Sequence, residues 1–82
     1  MAKVVIDLKA TTAGELRTLR EHLGIDLWEL GKEIERSTTW LSDKERGITE
    51  VTAEELRLAV EAITRIVRRR EEALAERGKA EK

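Results

Sequence analysis

His22 is the only histidine in the chain, and there is no cysteine to accompany it. Zinc-thiolate sites, a thiol nucleophile and a disulfide framework are therefore excluded. His22 has no triad partner at a recognisable spacing. It sits near the end of a first helix, where partial positive charge is favoured. Carboxylates are plentiful but scattered among lysines and arginines, with no metal-ligand cluster and no glycine-rich phosphate loop. Nothing here points to an enzyme, a cofactor or a small-molecule substrate. What remains is surface charge. Lys32, Arg36, Lys44 and Arg46 cluster around a central segment, and Arg68-Arg69-Arg70 could reach a phosphate backbone. Within a helix, Arg68 is also an ordinary neighbour of Glu72. From Glu15 to Gly47 there are six basic and eight acidic residues, a net of −2. From Arg65 to Lys82 there are seven basic and four acidic, a net of +3. Phosphate neutralisation supplies most non-specific DNA affinity, so the acidic middle works against it.

Eighty-two residues allow one small domain with a core barely large enough to fold unaided. Charged residues make up 40% of the chain, yet they sum to −1. Proline is absent and glycine is scarce, which favours helices over loops. No apolar run approaches ~18 residues, so no membrane span is expected. The opening Met1-Ala2-Lys3, with Asp7 close behind, does not read as a secretory leader. The expected compartment is the cytoplasm.

The elements that must position these groups are legible from local signals. Lys3 to Lys9 is β-branched and partly alternating, so Val4, Ile6 and Leu8 share one face of a strand. One strand alone is unstable. An arm over residues 1–11 is therefore expected either to lie loosely on the helices or to join two protomers. Thr12-Ala-Gly-Glu15 has the form of a capping box and opens a helix carrying Leu16, Leu19 and Leu23, with Gly24 as its stop. Asp26 opens a second helix, with Leu27, Leu30 and Ile34 inward. Glu35-Arg36 turn the chain. Ser37 caps a third helix that buries Leu41 and ends near Gly47. Thr52-Ala-Glu-Glu55 is another capping box. The helix it opens has no evident stop before Gly78. Its stripe of Leu56, Val60, Ile63, Val67 and Leu74 outruns a small core. Ile66, Val67 and Leu74 are expected to pack on a second chain, because an uncovered amphipathic helix is marginal in water. The expected organisation is an arm over 1–11, a helical domain over 12–64, a helix extension over 65–78 and a disordered tail over 79–82.

Residues 16–63 resemble the XRE-type, lambda-repressor-like helix-turn-helix family, without gaps over about 48 residues. Leu16 with Leu19-Arg20 resembles the family's first helix, and Leu23-Gly24-Ile25 its stop. Leu30 with Gly31 resembles the Leu-Ala pair of the second helix. Ser37 to Leu41-Ser42 resembles the recognition helix, and Glu45-Arg46-Gly47 the Glu-Arg-Gly motif after it. Thr52 with Leu56 resembles the start of the fourth helix. The resemblance implies an all-α fold of four to five helices, here with a long C-terminal helix and a short N-terminal strand. It also implies a partly buried Arg20–Glu45 ion pair. Gly31 falls where the second and third helices would cross, and a missing side chain there lets backbones approach.

Departures from the family pattern bear on function. Leu27 stands where the family often has a phosphate-binding glutamine. Glu35 and Arg36 replace a left-handed glycine and an apolar residue. Val51 replaces a proline, and the fifth helix is missing as a separate element. Carried over, the DNA-facing positions are Ser37, Thr38, Thr39, Trp40, Ser42 and Asp43, with Lys32, Arg36, Lys44 and Arg46 as phosphate contacts. Thr38 and Thr39 can contact bases by hydroxyl or by methyl contact with thymine, and Asp43 can accept from a cytosine amino group. No arginine, asparagine or glutamine occupies that face. Trp28 takes a position that is usually polar and exposed, so it is expected either in the core or covered by the arm or a partner. Trp40 suits a sugar-phosphate backbone, a protein partner or packing into the core.

The implied function is a sequence-specific transcriptional regulator, of the small phage or mobile-element repressor type. It would bind double-stranded DNA as a homodimer, with two recognition helices about 34 Å apart on a palindromic operator. The alternative is the same fold used to bind another protein, such as an antirepressor, an antitoxin-like partner or a polymerase-associated factor. A purely structural oligomerisation domain is the third reading.

Overall fold

The computed structural model describes residues 10–80, with side chains through Glu76. Within these limits the chain is all-helical: α1 (Ala13–His22), α2 (Leu27–Glu33), α3 (Thr38–Glu45) and α4 (Ala53–Ala80). The strand expected over residues 3–9, including Val4 and Ile6, lies outside the described residues. No helix among the described residues is long and apolar enough to cross a membrane.

Each helix starts where a short polar side chain can satisfy exposed amides. Thr12 Oγ1 accepts from the Glu15 amide at 3.1 Å, Asp26 Oδ1 from Glu29 at 2.7 Å and Ser37 Oγ from Trp40 at 3.0 Å. Thr52 and Glu55 form the full reciprocal box, with Thr52 N–H donating to Glu55 Oε1 at 2.8 Å and Glu55 N–H to Thr52 Oγ1 at 3.1 Å. At α1 the box is displaced by one residue: Glu15 accepts from the Thr11 amide at 3.2 Å rather than from that of Thr12.

The first three helices stop in the same way. Gly24 (φ 66), Glu35 (φ 58) and Gly47 (φ 76) all take the left-handed conformation. The next amide in each case closes back five residues: Ile25 to Arg20, Arg36 to Gly31 and Ile48 to Asp43, at 3.1, 2.8 and 2.9 Å. Such closure satisfies carbonyls the helix leaves free and throws the chain sharply aside. The turn between α2 and α3 is therefore left-handed at a residue that carries a Cβ, Glu35.

Gly31 permits a close approach, although the neighbour is the turn rather than a crossing helix. A Cβ built there would lie 2.7 Å from the Arg36 carbonyl oxygen. The turn carbonyl can press against α2 only because no side chain intervenes.

Leu16, Ile25, Leu30, Leu41, Leu56, Ala59, Ala62, Ile63 and Ile66 form the buried core. Leu23 and Ile34, expected inside, are half-buried at its margin, and Val60, also expected inside, is half-buried. Ile66 corrects the expectation that it serves a second chain: it is only 2% exposed within its own protomer. Val67 is half-buried and packs on the same core. The reason is geometric. α4 packs on both α1 and α2, so its inward stripe is used for a turn beyond Ile63. Leu74 remains outside, 66% exposed. The last helix also continues two residues past Gly78, to Ala80.

Candidate nucleic-acid interface

The back of α3 is fixed by a charge pair with few alternatives. Arg20 on α1 donates from Nε to Glu45 Oε2 at 2.8 Å and from Nη2 to Glu45 Oε1 at 2.9 Å. Its Nη1 donates to the Ile25 carbonyl at 2.8 Å. Both residues are buried, and the two-pronged geometry leaves Glu45 one orientation. Hydrogen bonding to Glu45 holds the Arg20 guanidinium above its ordinary pKa. α3 is thus attached by its last turn to α1, and by Leu41 to the core.

The front of α3 faces outward. Thr38, Thr39, Ser42, Asp43 and Arg46 line one shallow concavity of about 350 Å³, together with Leu27 from the start of α2. Thr38, Thr39 and Arg46 are exposed, while Ser42 and Asp43 are half-buried. Five expected contact residues therefore share a surface. Ser37 stands apart, since its hydroxyl is used to cap α3.

Trp40 leaves this front and lies half-buried along the edge of the core. The Arg36 guanidinium and the Lys44 ammonium both sit over its ring, 5.3 and 5.2 Å from the centroid. A cation over an indole face is attracted by the ring quadrupole. Trp40 thus holds Arg36 beside the turn. Trp28 is 64% exposed, with Lys32 over its ring at 5.0 Å, so it is no part of the core.

The expected phosphate contacts divide. Lys32, Arg36 and Arg46 are exposed. Lys44 is withdrawn: its ammonium donates to the Glu50 carbonyl at 2.6 Å and to Glu55 at 3.1 Å, and its side chain is 13% exposed. Its structural task is to tie the end of α3 to the start of α4. The Thr52 amide, followed by Lys44, holds the Glu55 carboxyl below its ordinary pKa.

A second set of arginines was not placed by sequence reasoning. Arg65 and Arg69 both pair with Glu33 on α2, Arg65 at 2.9 Å. Arg70 pairs with Glu29 at 2.8 Å and donates to the Leu23 and Gly24 carbonyls at 2.8 and 3.3 Å. Two members of the Arg68–Arg70 run thus clamp α4 to α2 and cover the end of α1. Arg69 and then Arg65 hold the Glu33 carboxyl below its ordinary pKa. The one available signal was helical spacing: residues 65 and 69 share a face of α4, and residues 29 and 33 share a face of α2. Among the described residues no group of three or more acidic or histidine side chains could hold a metal ion.

Comparison of the chain with protein-family models, with curated proteins and with solved structures finds no match.

Proposed function

We propose that the chain is a lambda-repressor-like helix-turn-helix protein that binds duplex DNA as a homodimer and regulates transcription. The observation that carries this reading is the α2–α3 pair. The two helices are joined by a left-handed turn, the back of α3 is locked by Arg20–Glu45, and the front offers Thr38, Thr39, Ser42 and Arg46 to solvent. A rigid helix with one outward polar face can lie in a major groove. Thr38 and Thr39, at the start of α3, read base edges by hydroxyl and methyl contact. Lys32, Arg36 and Arg46 neutralise phosphates beside it, and Trp40 positions Arg36. Selection from a random duplex library, followed by titration of the winner, tests this. Thr39→Ala should weaken the selected duplex while leaving the circular-dichroism spectrum unchanged. Selection that returns no enriched sequence would sink the reading.

A second reading is favoured by one finding. Lys44 is withdrawn into the fold while Asp43 stays in the α3 concavity, which lowers the positive charge of that face. The α3 surface then takes a protein partner, while exposed Trp28 lines a separate concavity with Glu29, Lys32, Glu33 and Arg69. Under that reading Thr39→Ala and Trp40→Ala weaken partner capture, and no duplex is bound tightly.

A further inference from the structure

α4 carries an apolar groove near its start and an uncovered leucine towards its end. The groove, of about 410 Å³, is formed by Ala53, Leu56 and Val60, with Ala10 and Thr11 along one side and Arg57 and Glu61 on its rim. Leu74 is 66% exposed. Between them Val60, Thr64 and Val67 are half-buried. Positions 56, 60, 64, 67, 71 and 74 follow the three-and-four spacing of one helix face, so the groove and Leu74 lie along a single strip. Leu74 cannot fill the groove of its own chain. At about 1.5 Å per residue it lies about 27 Å from Leu56 along the helix.

A second copy running antiparallel brings the two ends together, and charge selects its register. Arg57, Glu61, Arg68 and Glu72 form an exposed row on the flank of the strip. With the two-fold axis between Thr64 and Arg65, Glu61 faces Arg68 of the partner subunit and Arg57 faces Glu72 of the partner subunit. Each favourable pair occurs twice. In the same register Leu74 of the partner subunit comes level with the turn between Ala53 and Leu56, which is the groove. Moving the partner by about one turn is unfavourable in either direction. One shift sets Arg57 against Arg68 of the partner subunit, and the other sets Glu61 against Glu72 of the partner subunit. A parallel pair sets every charge level with its own copy and keeps Leu74 away from the groove.

We propose that two copies pair through antiparallel α4 helices, with Leu74 of each seated in the Ala53, Leu56 and Val60 groove of the other and Glu61–Arg68 and Arg57–Glu72 pairs along the seam. The inference rests on the homodimer of the reading above and names its interface. Its test contains no DNA, so helix pairing and operator binding fail separately.

The test is the dimer dissociation constant of the full chain by sedimentation equilibrium. Leu74→Ala should weaken the dimer about a hundredfold, because two leucines leave their grooves at once, with helix content by circular dichroism unchanged. Glu61→Arg alone and Arg68→Glu alone should each weaken it about tenfold, because each creates two like-charge pairs. An equimolar mixture of those two variants should recover the wild-type constant, since every reversed charge then meets its opposite across the axis. Residues 61 and 68 of one chain lie about two turns apart, so a contact within the protomer gives no such rescue. Three results overturn the proposal: a wild-type chain that stays monomeric at its highest soluble concentration, a mixture no tighter than its components, or a Leu74→Ala dimer as tight as the wild type.

Discussion

Arg20 and Glu45 carry more of the geometry than any other pair of side chains. Each is buried, each satisfies the other twice, and Arg20 also serves the Ile25 carbonyl. Removing one partner strands the other charge away from water. Glu45→Ala should therefore cost about 3–5 kcal/mol in urea unfolding, far more than any exposed pair on α4. Glu35 offers the opposite case. Its φ of 58° costs a residue with a Cβ about 1–2 kcal/mol relative to glycine. Glu35→Gly should raise stability by about 1 kcal/mol, or about 4–8 °C in Tm for a domain of this size. A Tm that falls would mean that Glu35 has a side-chain role which no contact explains. Gly31 admits no such exchange. A methyl group there meets the Arg36 carbonyl at 2.7 Å, and backbone cannot swing away as a side-chain tip can.

At the scale of the elements, the helix starts were legible and the seams were not. Thr12, Asp26, Ser37 and Thr52 act on amides three residues away, so short-range chemistry announces them. The left-handed backbone at Glu35 had no such short-range signal; only the resemblance pointed to that position, where the sequence departs from the pattern. The clamp of Arg65, Arg69 and Arg70 joins residues 32, 36 and 41 positions apart, a distance that only packing can close. Ile66 was misplaced because the stripe of α4 was expected to outrun a core that in fact takes in Ile66. Lys44 was read as a phosphate contact because its partner Glu55 belongs to another helix. The clamp is exposed, so its effect is local. Arg70→Ala should lower amide-exchange protection in α4 beyond Val67 and leave residues 56–66 nearly unchanged. Equal loss along the whole helix would assign Arg70 to the core's stability instead.

The carboxylates that join these elements also set the acid response. Glu15, Glu33 and Glu55 are each held below the ordinary value of 4.5, by Thr11, by Arg69 and by the Thr52 amide respectively. Folding therefore favours their charged forms. Their contribution is complete above the unfolded pKa and is lost as pH falls through the lower folded values. Stability should be flat near neutrality and decline below about pH 4.5, as thermal melts at stepped pH will read. Glu33→Gln should flatten that decline and lower stability at pH 7.

For the whole molecule, fold and function rest on different kinds of support. Nine buried apolar side chains and four capped helices account for the body. The α3 surface follows from that body, since locking its back leaves one face outward. The reading of that surface as a DNA contact depends on three exposed cations per protomer, Lys32, Arg36 and Arg46, the expected four less the withdrawn Lys44. If a dimer places all of them on phosphates, about six counterions are displaced. The logarithm of the binding constant should then fall with the logarithm of salt at a slope of about −5. The most direct measurement is fluorescence anisotropy of a selected duplex across a salt series, for the wild type and for Arg46→Ala. The account predicts steep salt dependence in the wild type and a slope shallower by about two in the variant, one contact per protomer. Absence of binding at the lowest salt, or a slope that Arg46→Ala leaves unchanged, would contradict it.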